Sequence, residues 1–298
     1  MKATTADVRV TFQNILFLTD FSEPSEAALP FAMSIARAYG SKISVLHVLQ
    51  PNPFLYSTPT SVAMVEEAQE DTAKAHMQQV SAQLAGLSHE TILEWGAGVW
   101  PSVEQVLKSY AVDLIVVGTH GRTGAEKLLL GSVAEEIFRR SPVPVLTVGP
   151  SVSKGIQGSA LFHNILFATD FSSHSLAALP YALSLAQENQ ARLILLHILP
   201  HDRMPWLHLN DTAAAAAHSR LKELIPEGTA NWCLPETLVE SGEPASEVLE
   251  IAKQKQADLI VLGVRNLAEH LGAATHLGRA TAHKVVAHAE CSVLTVRI

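Results

Sequence analysis

The chain carries the same message twice. Residues 12–22 read FQNILFLTDFS and residues 162–172 read FHNILFATDFS, nine of eleven identical at an offset of 150. At that offset Ala27-Ala28-Leu29-Pro30 returns as Ala177-Ala178-Leu179-Pro180, and Leu46-His47-Val48 returns as Leu196-His197-Ile198. Solenoid repeats run ~20–50 residues. A period this long has the size of a whole domain, typically ~100–150 residues. The chain therefore reads as two copies of one domain, 1–150 and 160–298, joined by the polar, Gly/Ser-rich stretch 150–159.

Each copy alternates short apolar runs with helical patterns. In the first, strands are expected at 15–18, 43–48, 90–95, 113–118 and 143–148. Unbroken runs such as Ile15-Leu16-Phe17-Leu18 suit strands buried on both faces. Helices are expected over 25–39 (started by Ser22-Glu23-Pro24), over 61–86, from Pro101, and after Ser132. The second copy repeats the series, with strands at 165–168, 193–198, 235–241, 258–263 and 292–296, and helices over 175–188, over 210–224 and from Pro244. Strands alternating with helices imply right-handed parallel crossovers and a doubly wound α/β sheet in each copy.

Composition excludes some functions. With 298 residues, 48% of them hydrophobic, the chain can bury two cores. A formal net charge of −8 argues against a nucleic-acid binder, which usually carries a basic face. Two cysteines, Cys233 and Cys291, are too few for a disulfide framework. The start MKATTADVRV has no apolar core of signal-peptide length, and no run of about 18 apolar residues suggests a membrane span. The expectation is a soluble cytoplasmic protein with no membrane or nucleic-acid partner.

The chemistry sits after the fourth strand, where the first copy reads GTHGRTGAEKLLLGS from Gly118 to Ser132. The loop leaves the carboxyl end of a strand, where open parallel sheets place ligands. Gly118, Gly121 and Gly131 can bare backbone N–H groups and admit a phosphate. Gly131-Ser132 leads into VAEEIFRR, and a helix N-terminus attracts anions. The same residues also fit an ordinary turn with Ser132 as a helix cap. There is no GK[ST] lysine, so the mechanism of that phosphate loop does not transfer.

The spacing G-x2-G-x9-G-S, in a domain that opens with a strand and T-D-F-S, resembles the ATP-binding universal stress proteins, and the likeness runs over essentially the whole chain as two such domains in tandem. The resemblance implies two Rossmann-like domains, each a five-stranded parallel sheet flanked by helices. It implies ATP, ADP or AMP as ligand, with Mg²⁺ an option. Carried over by position, Thr19, Asp20 and Val48 would hold adenine and ribose. Gly118, Gly121, Gly131, Ser132 and Val133 would hold ribose and phosphates. Arg122 is the one arginine that could meet the terminal phosphate, and it could equally face solvent. Family members pair through their final strands, so 143–148 and 292–296 would form an internal pseudo-dimer, with a further homodimer left open.

The second copy departs from this pattern. It keeps Thr169, Asp170, Ile198 and Gly263, but Asn266 stands where Gly121 stood and Arg279-Ala280 stand opposite Gly131-Ser132. Its loop is expected to be degenerate, with a rebuilt loop on Gly272, Gly278 and Thr281 as the alternative. His276, His283 and His288 lack metal-site spacing, and no metal is expected. His47 and His197 recur at matching strand ends and are expected to serve the fold. No catalytic residue is expected. The leading function is a nucleotide-binding stress-response regulator, with a slow ATPase or a structural adaptor as alternatives.

Overall fold

The computed structural model describes residues 10–51, 59–119, 130–149, 152, 162–200, 209–233, 235–265 and 281–297. Gly121, Arg122, Asn266, Gly272, His276, Gly278, Arg279, Ala280 and the linker apart from Val152 lie outside them. The chain divides into two compact units, Phe12–Pro150 and Ser151–Ile298, the latter grouped with the first residues of the chain.

The first unit runs β1 (Asn14–Leu18), α1 (Glu23–Glu26), α2 (Leu29–Tyr39), β2 (Lys42–Leu49), α3 (Pro59–Gln83), β3 (His89–Trp95), α4 (Val99–Tyr110), β4 (Leu114–Gly118), α5 (Ser132–Arg140) and β5 (Val145–Val148). All its strand pairs are parallel, in the order β3-β2-β1-β4-β5. Right-handed crossovers then place α2 and α3 on one face, and α4 beside α5 on the other. The strand order reverses between β1 and β4, which makes that junction the topological switch point.

The second unit repeats this as β6 (Asn164–Ala168), α6 (Ser173–Leu176), α7 (Leu179–Asn189), β7 (Arg192–Pro200), α8 (Leu209–Glu223), β8 (Glu236–Gly242), α9 (Pro244–Gln254), β9 (Leu259–Val264), α10 (Thr281–His288) and β10 (Ser292–Arg297). Its strands are also parallel, in the order β10-β9-β6-β7-β8. Each sheet is therefore five-stranded, doubly wound and Rossmann-like. Ile15, Leu16 and Phe17, like Ile165, Leu166 and Phe167, are essentially fully buried, as strands covered on both faces must be.

The helix expected over 25–39 is two helices. Ser22 caps α1, its side chain accepting from the Ser25 N–H, and the chain turns at Ala27-Ala28 before α2. Pro30 explains the break. It has no N–H, and in a continuous helix its ring would meet the carbonyl of Glu26. Pro180 divides α6 from α7 in the same way.

The two copies also repeat their hydrogen bonds. Asp113 accepts from the N–H groups of Gln13 at 2.6 Å and Asn14 at 3.2 Å. Asp258 does the same for His163 at 2.7 Å and Asn164 at 3.1 Å. Burial pushes both carboxyls above their ordinary range despite these donors. These ties lie at the amino ends of the strands and hold the sheet together.

Glu243 caps α9, accepting from the Ser246 N–H at 2.9 Å and the Ser246 hydroxyl at 2.8 Å. It also pairs with Lys284 of α10 at 3.0 Å. The Ser246 bonds first, and then Lys284, lower its pKa from the ordinary 4.5 to about 2. A carboxylate depressed in the folded state contributes stability above its unfolded pKa and loses it as pH falls through the folded one. Glu243→Gln is therefore expected to flatten the acid limb of stability between pH 4.5 and about 2. Urea midpoints measured across that window check this. A limb as steep as that of the unaltered protein would contradict it.

Candidate functional site

A cavity of about 230 Å³ opens at the switch point of the first unit. Leu18, Thr19 and Asp20 at the end of β1 line it, with Leu46, His47 and Val48 of β2 and Val117, Gly118 and Thr119 at the end of β4. Ser25 of α1, Val99 of α4, Gly131, and Ser132, Val133 and Ala134 of α5 complete it. Seven of the nine residues expected from the sequence thus line this one cavity: Thr19, Asp20, Val48, Gly118, Gly131, Ser132 and Val133. Gly121 and Arg122 lie outside the described residues.

The turn after β1 is tightly built. The Thr19 N–H donates to Leu46 O at 3.1 Å, and the Thr19 hydroxyl meets that of Ser25 at 3.1 Å and accepts from the Phe21 N–H at 3.0 Å. Asp20 Oδ1 accepts from the Ser22 N–H at 3.0 Å and from the Ser22 hydroxyl at 2.5 Å. Between them Phe21 sits at φ 61, in the left-handed region, and so does Phe171 in the second copy. A bulky residue there is strained by roughly 1–3 kcal/mol and must be held by its surroundings.

His47 is part of that hold. Its Nδ1 lies 2.8 Å from Thr19 O, and His197 Nδ1 lies 2.8 Å from Thr169 O. The recurrence shows that both histidines brace the fold. In the second copy burial would raise the Asp170 carboxyl, but bonds from Ser172 and Ser175 and the Arg265 charge hold it below the usual range.

The far wall is the start of α5. Gly131, not Ser132, is the N-cap, at φ −59 and ψ 143, and no side chain caps the helix. The Gly131 N–H donates to Thr119 O at 2.7 Å, tying the two ends of the loop together, and its carbonyl accepts from the Glu135 N–H at 2.8 Å. The amides of Ser132, Val133 and Ala134 therefore form the open end of the helix among the described residues, and they carry its partial positive charge.

Gly118 has a packing role. A Cβ on it would fall 2.6 Å from Pro24 O and 3.1 Å from Ser25 Cα. Gly263 in the second copy would meet the carbonyl of His174 in the same way. The glycine at the end of each fourth strand lets the first helix of its copy rest directly on the strand end.

Several lining residues were not legible as such: Leu18, Ser25, Leu46, Val99, Thr119 and Ala134. Leu18 and Thr119 flank expected site residues. Nothing local marks Val99, which reaches the cavity because β3 and α4 return the chain across the sheet. Among the described residues no group of histidine, cysteine or acidic side chains could hold a metal, and no helix is long and apolar enough to cross a membrane. Cys233 and Cys291 are both free thiols, and burial pushes the Cys291 thiol up to about 12.

Comparison with known proteins gives one family. The model described as "Universal stress protein family" matches residues 11–149 and 161–297. A universal stress protein of Methanocaldococcus jannaschii is 28% identical over 156 residues, covering 47% of this chain and 96% of its own length. A universal stress protein of Mycolicibacterium smegmatis is 27% identical over 269 residues, 85% of this chain and 87% of its own. The crystal structure of a universal stress protein from Archaeoglobus fulgidus DSM 4304 superposes with a TM-score of 0.68 at 23% identity, over 95% of this chain and 98% of that one. At that identity the likeness is one of fold.

Proposed function

This chain belongs to the universal stress protein family as two domains in tandem, and from that premise we propose that it is a cytoplasmic stress-response regulator that holds one adenine nucleotide in its first domain. One observation carries the proposal: the cavity at the switch point ends on the uncapped amino terminus of α5. Apolar Leu46, Val48 and Val99 suit a base, the Asp20 carboxylate suits ribose hydroxyls, and the amides of Ser132 to Ala134 suit phosphates. At about 230 Å³ the cavity is smaller than the ~300–1,000 Å³ common for ligand pockets, so it would enclose the nucleoside and leave the phosphates at its mouth.

The second domain would not share the role, because Asn266 and Arg279-Ala280 replace the residues of the first loop. Calorimetry with ATP, ADP and AMP is expected to give one tight site per chain. Two equal sites would refute the asymmetry, and no uptake of any of the three would refute the function. Mass spectrometry of ligand that copurifies with the chain names the nucleotide.

Turnover is expected to be far below the ~10 s⁻¹ typical of enzymes. The described lining of the cavity holds no lysine or arginine to meet a phosphate, and one oxygen of the Asp20 carboxylate is tied to Ser22. Bound Mg²⁺ would neutralise phosphate charge, but phosphoryl transfer also needs a placed attacking water. Phosphate release at several per second would make this an enzyme instead.

A further inference from the structure

Phe21 does not line the cavity, yet two imidazoles pack against its ring. His47 of β2 lies at a centroid distance of 4.2 Å, tilted by 36°. His76 of α3 stacks on it at 4.9 Å and 25°. The second copy repeats the arrangement: His197 lies 4.5 Å from Phe171, and the Arg220 guanidinium of α8 sits 4.0 Å over the ring. In both copies the helix after the second strand sends a nitrogen-bearing side chain onto the phenylalanine of the T-D-F-S turn. These helices lie in the part of the sequence where the copies diverge most, so the contact is kept while its chemistry changes.

The turn needs such support. Phe21 is held at φ 61, a conformation that persists only where packing over-determines it. Asp20 and Ser22 flank it, and their 2.5 Å bond fixes the carboxylate on the cavity wall. Releasing the ring lets the backbone leave the left-handed region and carries the carboxylate away with it.

We infer that His76 is a positioning residue: by clamping Phe21 it holds the Asp20 turn in its binding geometry, and by the same contact it couples nucleotide occupancy to helix α3. The inference rests on the function proposed above. Thermodynamic coupling is reciprocal. If the stack favours the bound turn, the bound nucleotide favours the stack, and α3 tightens when the site fills. Helix α3 is then the element through which the first domain reports its ligand. In the second domain Arg220 supplies a permanent cation at the corresponding place, so the equivalent helix is held whatever the state of a ligand.

The test is calorimetry with MgATP on the full chain, with hydrogen exchange of α3 measured with and without nucleotide. An aromatic stack of this kind predicts that His76→Ala binds roughly two- to tenfold more weakly and loses the nucleotide-induced protection of α3. His76→Phe, which keeps the stacking face, restores both. Arg220→Ala, which removes the corresponding contact in the other copy, leaves affinity unchanged and controls for general loss of packing. A chain that binds MgATP and whose His76→Ala variant binds equally well overturns the clamp but leaves the proposed function standing. A chain that takes up no MgATP removes both.

Discussion

Gly131→Val is expected to weaken ATP binding at least ~100-fold while costing only about 1 kcal/mol of stability at the N-cap of α5. Gly131 lines the cavity beside the open end of α5, so its side chain would stand where phosphates approach the amides of Ser132 and Val133. Hydrogen bonds to charged groups contribute about 1.5–3 kcal/mol each, and losing two of them costs at least ~3 kcal/mol, about two decades of affinity. The backbone tolerates the change. At φ −59 and ψ 143 valine is unstrained, and the bonds of Gly131 to Thr119 and Glu135 use main-chain atoms that valine also has. Calorimetry paired with thermal unfolding separates the two effects. Undiminished binding would place the phosphates elsewhere.

Gly118→Ala should have the opposite profile, with a large loss of stability from one methyl group. The new Cβ would meet Pro24 O at 2.6 Å and the Pro24 carbonyl carbon at 3.0 Å, atoms of a backbone that cannot move alone. Overpacking typically costs ~1–3 kcal/mol, and contact with backbone puts this site at the upper end. For a domain of this size that lowers Tm by roughly 10 °C. Gly263→Ala should injure the second domain likewise. Gly98→Ala is the control, because its Cβ would find only Pro101 Cδ at an ordinary 3.6 Å, and it is expected to change stability by less than about 0.5 kcal/mol. Equal melting of the Gly118 and Gly98 variants would show that α1 can yield.

The site was legible in the sequence where one residue's type carries a local requirement. Ser22 as a cap, the glycines around the loop and the apolar runs each follow from the backbone within a few residues. Pro30 also carried a signal, since proline at that place forbids one helix through 25–39, and Pro180 repeats it. The exact start of α5 was less legible: Ser132 suits a cap by composition, but Gly131 holds the position because its amide is drawn to Thr119 O. Gly118 reads from sequence as room for a phosphate; the geometry puts it on the cavity lining and adds that it makes room for α1.

What the sequence determined by itself is the duplication, the alternation of strands and helices, and hence two doubly wound parallel sheets. Those follow from local patterning, because a strand buried on both faces must be apolar throughout and a parallel pair must be joined by a crossover. The sequence also marked where the two copies part, with Asn266 in place of Gly121 and Arg279-Ala280 opposite Gly131-Ser132. The tertiary structure decided which distant residues meet. Sheet order sets β1 against β4, almost a hundred residues away, and brings Thr19, Val48, Val99 and Ser132 to one cavity. It also lays His76 on Phe21 across fifty-five residues of chain. No local pattern encodes such pairings, because neighbouring strands sit ~4.8 Å apart whatever their separation in sequence.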